Sequence, residues 1–111
     1  MSSTTLRILE MLERRGRNLT LRRRVGTTAA FTDVSPRGYS RGFKAEELVG
    51  GIIQGDREVV ISDAEIAAGN WPGPPRKGDV VVIDGTSATV QGVLTMYDGT
   101  ERAAHILWVR G

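Results

Sequence analysis

The chain has 111 residues, 15 Lys/Arg against 13 Asp/Glu for a formal net charge of +2, and no cysteine. That length carries one domain with a modest core, and the lack of thiols excludes a disulfide framework and thiolate metal sites. No apolar run approaches the roughly 20 residues of a membrane span, and Arg7, Glu10 and Glu13 interrupt any secretion-signal core, so a soluble protein, cytoplasmic or held in an assembly, is expected.

Leu6, Ile8, Leu9 and Leu12 recur near helical spacing, Ser3 or Thr4 can cap the first turn, and Arg14, Arg15 and Gly16 suit the last. This predicts an amphipathic helix over residues 4–15, packed on its own sheet or on a neighbour. Next, RNLTLRRRV alternates with period two, Leu19, Leu21 and Val25 on one face and Thr20, Arg22 and Arg24 on the other. Arg23 breaks the inward face and needs water or a carboxylate at a barrel mouth or subunit contact. Residues 26–30 give a weak second strand. Residues 32–44, TDVSPRGYSRGFK, set Arg37, Arg41 and Lys44 against Asp33 alone and are broken by Pro36, Gly38 and Gly42. They read as a long exposed loop, a feature that is usually functional or disordered.

EELVGGIIQGDREVVIS reads as a hairpin turning at Gly55 and Asp56, with a bulge at Gly50 and Gly51 and a return strand through Val59 and Ile61. SDAE then forms a capping box in which Ser62 and Glu65 satisfy each other's backbone amides, opening a short helix through Ala68. The proline-rich NWPGPPRKG is a stiff connector. Over residues 79–110, Asp84–Gly85 and Asp98–Gly99 turns divide three strands into an antiparallel meander. Ala88, Val90 and Leu94 are expected inward on the middle strand, with Gly92 easing a curve; on the last, either Ile106 and Trp108 or Leu107 and Val109. The fold class is therefore mainly β: a small antiparallel barrel or sandwich with an N-terminal helix, one short internal helix and a long exposed loop.

Catalytic chemistry finds little support. His105, the sole histidine, lies in an apolar strand where a packed or surface imidazole is the ordinary state. Asp56 with Glu58 and Asp63 with Glu65 are explained by turn and helix-start roles. No carboxylate spacing suits a metal, and no cofactor motif is present: GGIIQGDRE lacks the Gly-Lys-Ser/Thr ending of a phosphate loop. Trp71, between Asn70 and Pro72, suits a plug over a barrel end more than the other reading, a base-stacking platform. Residues 1–44 hold ten Lys/Arg and three Asp/Glu, and residues 45–111 five and ten. Such halves either complement each other head to tail between copies or form two solvated surfaces. Arg22 and Arg24 with Arg37, Tyr39, Arg41, Phe43 and Lys44 make a basic region with interleaved aromatics, so a small β-barrel nucleic-acid-binding module is the alternative function.

The layout resembles the head–tail joining proteins of long-tailed bacteriophages, of the head-completion or stopper type. What carries the resemblance is an N-terminal helix, a basic strand, a long loop, VVIS, DAEIAAG, the proline connector, GDVVVIDG, ATVQGV and HILWVRG. It implies a non-enzymatic virion protein, assembled in the host cytoplasm, that joins the DNA-filled head to the tail. It further implies a homo-oligomeric ring of six or twelve copies, docked on a portal-proximal adaptor and a tail-completion or terminator protein, with packaged double-stranded DNA in the channel and no membrane. Under that resemblance residues 32–44 project into the channel or hold an adjacent ring, with Arg37, Arg41 and Lys44 facing phosphates or acidic neighbours and Tyr39 and Phe43 anchoring the loop.

Overall fold

Period-two alternation of apolar and polar side chains builds most of the computed structural model, which describes residues 3–24, 31–42, 55–71 and 73–111. Helix α1 (Ser3–Arg15) leads into β1 (Arg17–Asn18), β2 (Thr20–Arg24), β3 (Phe31–Val34), β4 (Arg37–Gly42) and β5 (Arg57–Ser62). Helix α2 (Asp63–Ala68), β6 (Val80–Ile83), β7 (Thr86–Asp98) and β8 (Glu101–Arg110) complete it. The strands pair antiparallel in the order β1-β4-β5-β8-β7-β6-β2-β3.

The two ends of that order are halves of one hairpin. Only Leu19 separates β1 from β2, and only Ser35 and Pro36 separate β3 from β4. Arg17 pairs with Gly38, Asn18 with Arg37, Leu21 with Val34 and Arg24 with Phe31, all in one register. Pro36 has no amide hydrogen and interrupts the ladder, while its carbonyl still accepts from the Leu19 amide at 3.2 Å. The sheet thus curls until its ends meet, the barrel form of the expected fold class.

Leu19, Leu21, Val59, Ile61, Val81, Val90, Leu107 and Val109 fill the interior, joined by Ile66 from α2 and by Trp71, which is buried as a plug. Truncating one of these, such as Leu21→Ala, costs roughly 2–5 kcal/mol. Of the two alternatives for the last strand, Leu107 and Val109 face inward. Helix α1 packs on β4, β5 and β8 of its own sheet and buries Leu12 completely.

Several expectations are corrected. Residues 32–42 are not a loop but most of β3 and β4, and Phe43 and Lys44 lie outside the described residues. The breakers have structural jobs: Pro36 marks the bend, and a Cβ on Gly38 would collide with Leu19 in the core. Leu94 points outward, because the pairing shifts by one residue between Val90 and Gly92 and a one-residue bulge reverses every side chain beyond it. Ser62 precedes α2, but its hydroxyl makes no capping bond, and Glu65 instead accepts from the Arg37 amide at 3.1 Å. β5 has β4 on one side and β8 on the other; the first arm of the expected hairpin, the weak strand at 26–30 and Val25 lie outside the described residues. The Asp84–Gly85 turn is confirmed by φ of 51° and 80°.

Candidate functional site

Among the described residues, the arginines singled out in the sequence are spoken for within the fold. Arg22 donates to both oxygens of Asp33, at 2.9 and 3.0 Å, and that bond holds the Asp33 carboxyl below its ordinary range. Arg22 and the exposed Arg24 flank the Phe31 ring at 5.3 and 5.9 Å. Arg41 donates to both oxygens of Glu58 at 3.2 Å. Arg37 turns back onto α1, where its guanidinium donates to the carbonyls of Leu12, Glu13 and Gly16 at 3.0, 3.3 and 2.6 Å. It supplies a charged donor to the carbonyls and the negative pole of a helix end, sharing the Leu12 oxygen with the Gly16 amide.

Three carboxylates that sequence reasoning assigned to turns and solubility, or passed over, are internal anchors, Asp56 and Asp79 buried and Asp63 partly so. Asp79 receives two bonds from Arg23, both 2.8 Å, while the same guanidinium stacks 4.7 Å from the Trp71 ring centroid. Arg23 thereby finds the carboxylate its inward position demanded. Asp56 accepts from Trp108 Nε1 at 2.7 Å and from Arg110 Nε and Nη2 at 2.9 Å. Asp63, at the start of α2, accepts from His105 Nε2 at 2.8 Å, and His105 Nδ1 lies 2.9 Å from Thr95 Oγ1. With Nε2 protonated toward the carboxylate, Nδ1 accepts from the threonine hydroxyl. The imidazole is completely buried, and burial is the main cause lowering its pKa. It ties α2, β7 and β8 together as a strut. Among the described residues no group of three His, Asp or Glu side chains is placed to hold a metal, and no helix is long and apolar enough to cross a membrane.

The remaining surface feature is apolar. Antiparallel partners share a face, so Tyr39, Val60, Ile106 and Leu94 form one row on the outside of β4, β5, β8 and β7, and Arg41, Glu58, Trp108 and Gly92 form the next. Leu94 is 63% exposed, Tyr97 62% and Met96 41%. A groove of about 350 Å³ runs between Leu94, Ile106 and Trp108, with Glu58 at its side. Its floor is open because Gly92 has no side chain; a Cβ there would lie 3.4 Å from the Trp108 ring, whose orientation is locked by the bond to Asp56.

The hairpin also exposes backbone. β6 pairs with β7 through Thr89, and Val90 still exchanges bonds with Gly78 and Asp79. Beyond that, among the described residues, 92–98 have β8 on one side and no strand on the other. Residues 91–97, QGVLTMY, contain no charge and no proline, the usual guards of an edge strand. Of the described residues marked as a site in the sequence, Tyr39 alone adds apolar surface here, with Arg41 on the rim; Leu94, Met96, Tyr97 and Trp108 were missed as site residues. The only sequence signal for Leu94, Met96 and Tyr97 was the uncharged run itself, and Trp108 had none. Comparison with known protein families and with curated proteins finds no match to this chain.

Proposed function

We propose that this protein is a structural virion neck subunit of the head-completion or stopper kind, as its sequence layout suggests. It acts in a ring of six or twelve copies between a portal-side adaptor and a tail-completion protein, with packaged DNA in the bore. The observation that carries an assembly role is the uncharged run 91–97 of β7, which among the described residues has β8 on one side and no strand on the other, together with the apolar outer face beside it. Apolar patches rimmed by polar residues mark protein–protein contacts. Under this reading Tyr39 and the Arg41–Glu58 pair belong to the rim of a subunit contact. Arg37 holds α1 in place, and Phe43 and Lys44, just past β4, keep the expected role toward the channel or the next ring.

Nucleic-acid binding through Arg22 and Arg41 loses support, since both guanidiniums face carboxylates. The deciding experiment removes the gene from its element and images the induced lysate by negative-stain electron microscopy. The expected result is separate heads and finished tails, and DNA loss from the heads marks a stopper. Intact particles would overturn the proposal.

A further inference from the structure

Among the described residues, no strand lies against the edge of β7 opposite β8 from Gly92 to Asp98. We infer that in solution this edge is covered by β7 of a second copy, paired antiparallel about a two-fold axis through Leu94. This inference stands apart from the neck reading.

Backbone donors and acceptors on an open edge call for an extended strand. An uncharged strand can meet its own copy without like-charge repulsion across the pair. Centring the pair on Leu94 sets each Met96 opposite the other copy's Gly92 and each Gln91 opposite the other's Tyr97. The thioether then enters the groove that Gly92 leaves open above the Trp108 ring, a contact sulfur and aromatic faces favour. Because Trp108 is fixed by Asp56, the groove exists before the partner arrives and costs little ordering. No other centre sets the exposed methionine against the glycine. A two-fold pair has no polarity, whereas a joint between head and tail has one, so the pair is a form of the unassembled protein, exchanged when a ring is built.

The absence of cysteine gives a clean test. Facing Cα atoms in an antiparallel pair lie about 4.5–5.5 Å apart, inside the roughly 4.4–6.8 Å that a disulfide spans. Under mild oxidation Leu94→Cys should cross-link to a covalent dimer, while Ser87→Cys, on the part of β7 already paired with β6, should not. Sedimentation at about 100 μM, where a micromolar pair is mostly associated, should show wild-type dimers. Leu94→Lys and Leu94→Glu should each sediment as monomers, and their equimolar mixture should recover the dimer. Circular dichroism confirms that each variant is folded, as expected at an exposed position. A wild-type monomer at that concentration, a dimer indifferent to Leu94→Lys, or a mixture that stays monomeric would overturn the inference. A wild-type ring in place of a dimer at that concentration would overturn the pair and leave the neck reading standing.

Discussion

The hairpin of β1 to β4 and the hairpin of β7 and β8 are walls of one barrel with opposite surface logic. In the first, every arginine from Arg17 to Arg41 meets a partner inside the subunit: Asp84, Asp33, Asp79, the Phe31 ring, the end of α1 and Glu58. In the second, Leu94, Met96 and Tyr97 are exposed on a strand that, among the described residues, has a neighbour on one side only. Three of those acids, Glu58, Asp79 and Asp84, come from the acidic half of the sequence, so charges that look segregated along the chain are interleaved in space. Dense positive charge marks the part of this molecule that is internally satisfied, and its absence marks the part that is not.

Breaking the satisfied wall should hurt most at Arg23. Its side chain is 10% exposed and that of Asp79 3%, so Arg23→Ala strands a buried carboxylate and should remove roughly 3–5 kcal/mol of stability in urea denaturation. Arg37→Ala deprives three carbonyls at the end of α1 of a charged donor and should cost roughly 1.5–3 kcal/mol, with lost helical signal in circular dichroism. Arg37 is therefore a poor probe of any partner loop.

The His105 strut gives a smaller, pH-dependent effect. Burial, opposed by Asp63 and aided by Arg102, lowers the imidazole pKa from 6.5 in the folded chain. Below that pH the unfolded chain takes up a proton that the folded one refuses, so this contribution is whole above about pH 6.5 and declines as pH falls. Thermal midpoints should drop between pH 7 and 5.5, and His105→Gln should flatten the profile. Arg41→Ala, at a partly exposed ion pair, should cost under about 1 kcal/mol, less in salt. Leu94→Lys sharpens the contrast, changing stability by no more than about 0.5 kcal/mol while altering association.

The meander and its glycine turns were legible in the sequence because a two-residue turn needs positive φ and Asp-Gly supplies it. Residues 32–42 misled for the same reason in reverse: Pro36 and Gly38 look like breakers, yet one interrupts a ladder at a bend and the other makes room for Leu19. Leu94 was placed on the wrong face since a bulge adds one residue and leaves no periodic mark beyond the Gln91–Gly92 step. The candidate interface depended on that parity, so it was hidden with it. Arg37 as a helix cap and Asp56 as an anchor require knowing which distant elements meet, which spacing along the chain does not encode.

The seam that closes the barrel joins Arg22 to Val80. During synthesis, at roughly 5–20 residues per second, the N-terminal hairpin must wait several seconds for its second neighbour to be made. Until then Leu19 and Leu21 have no β6 to cover them. In that interval the apolar face of the nascent hairpin is open to chaperones and to other copies of the chain.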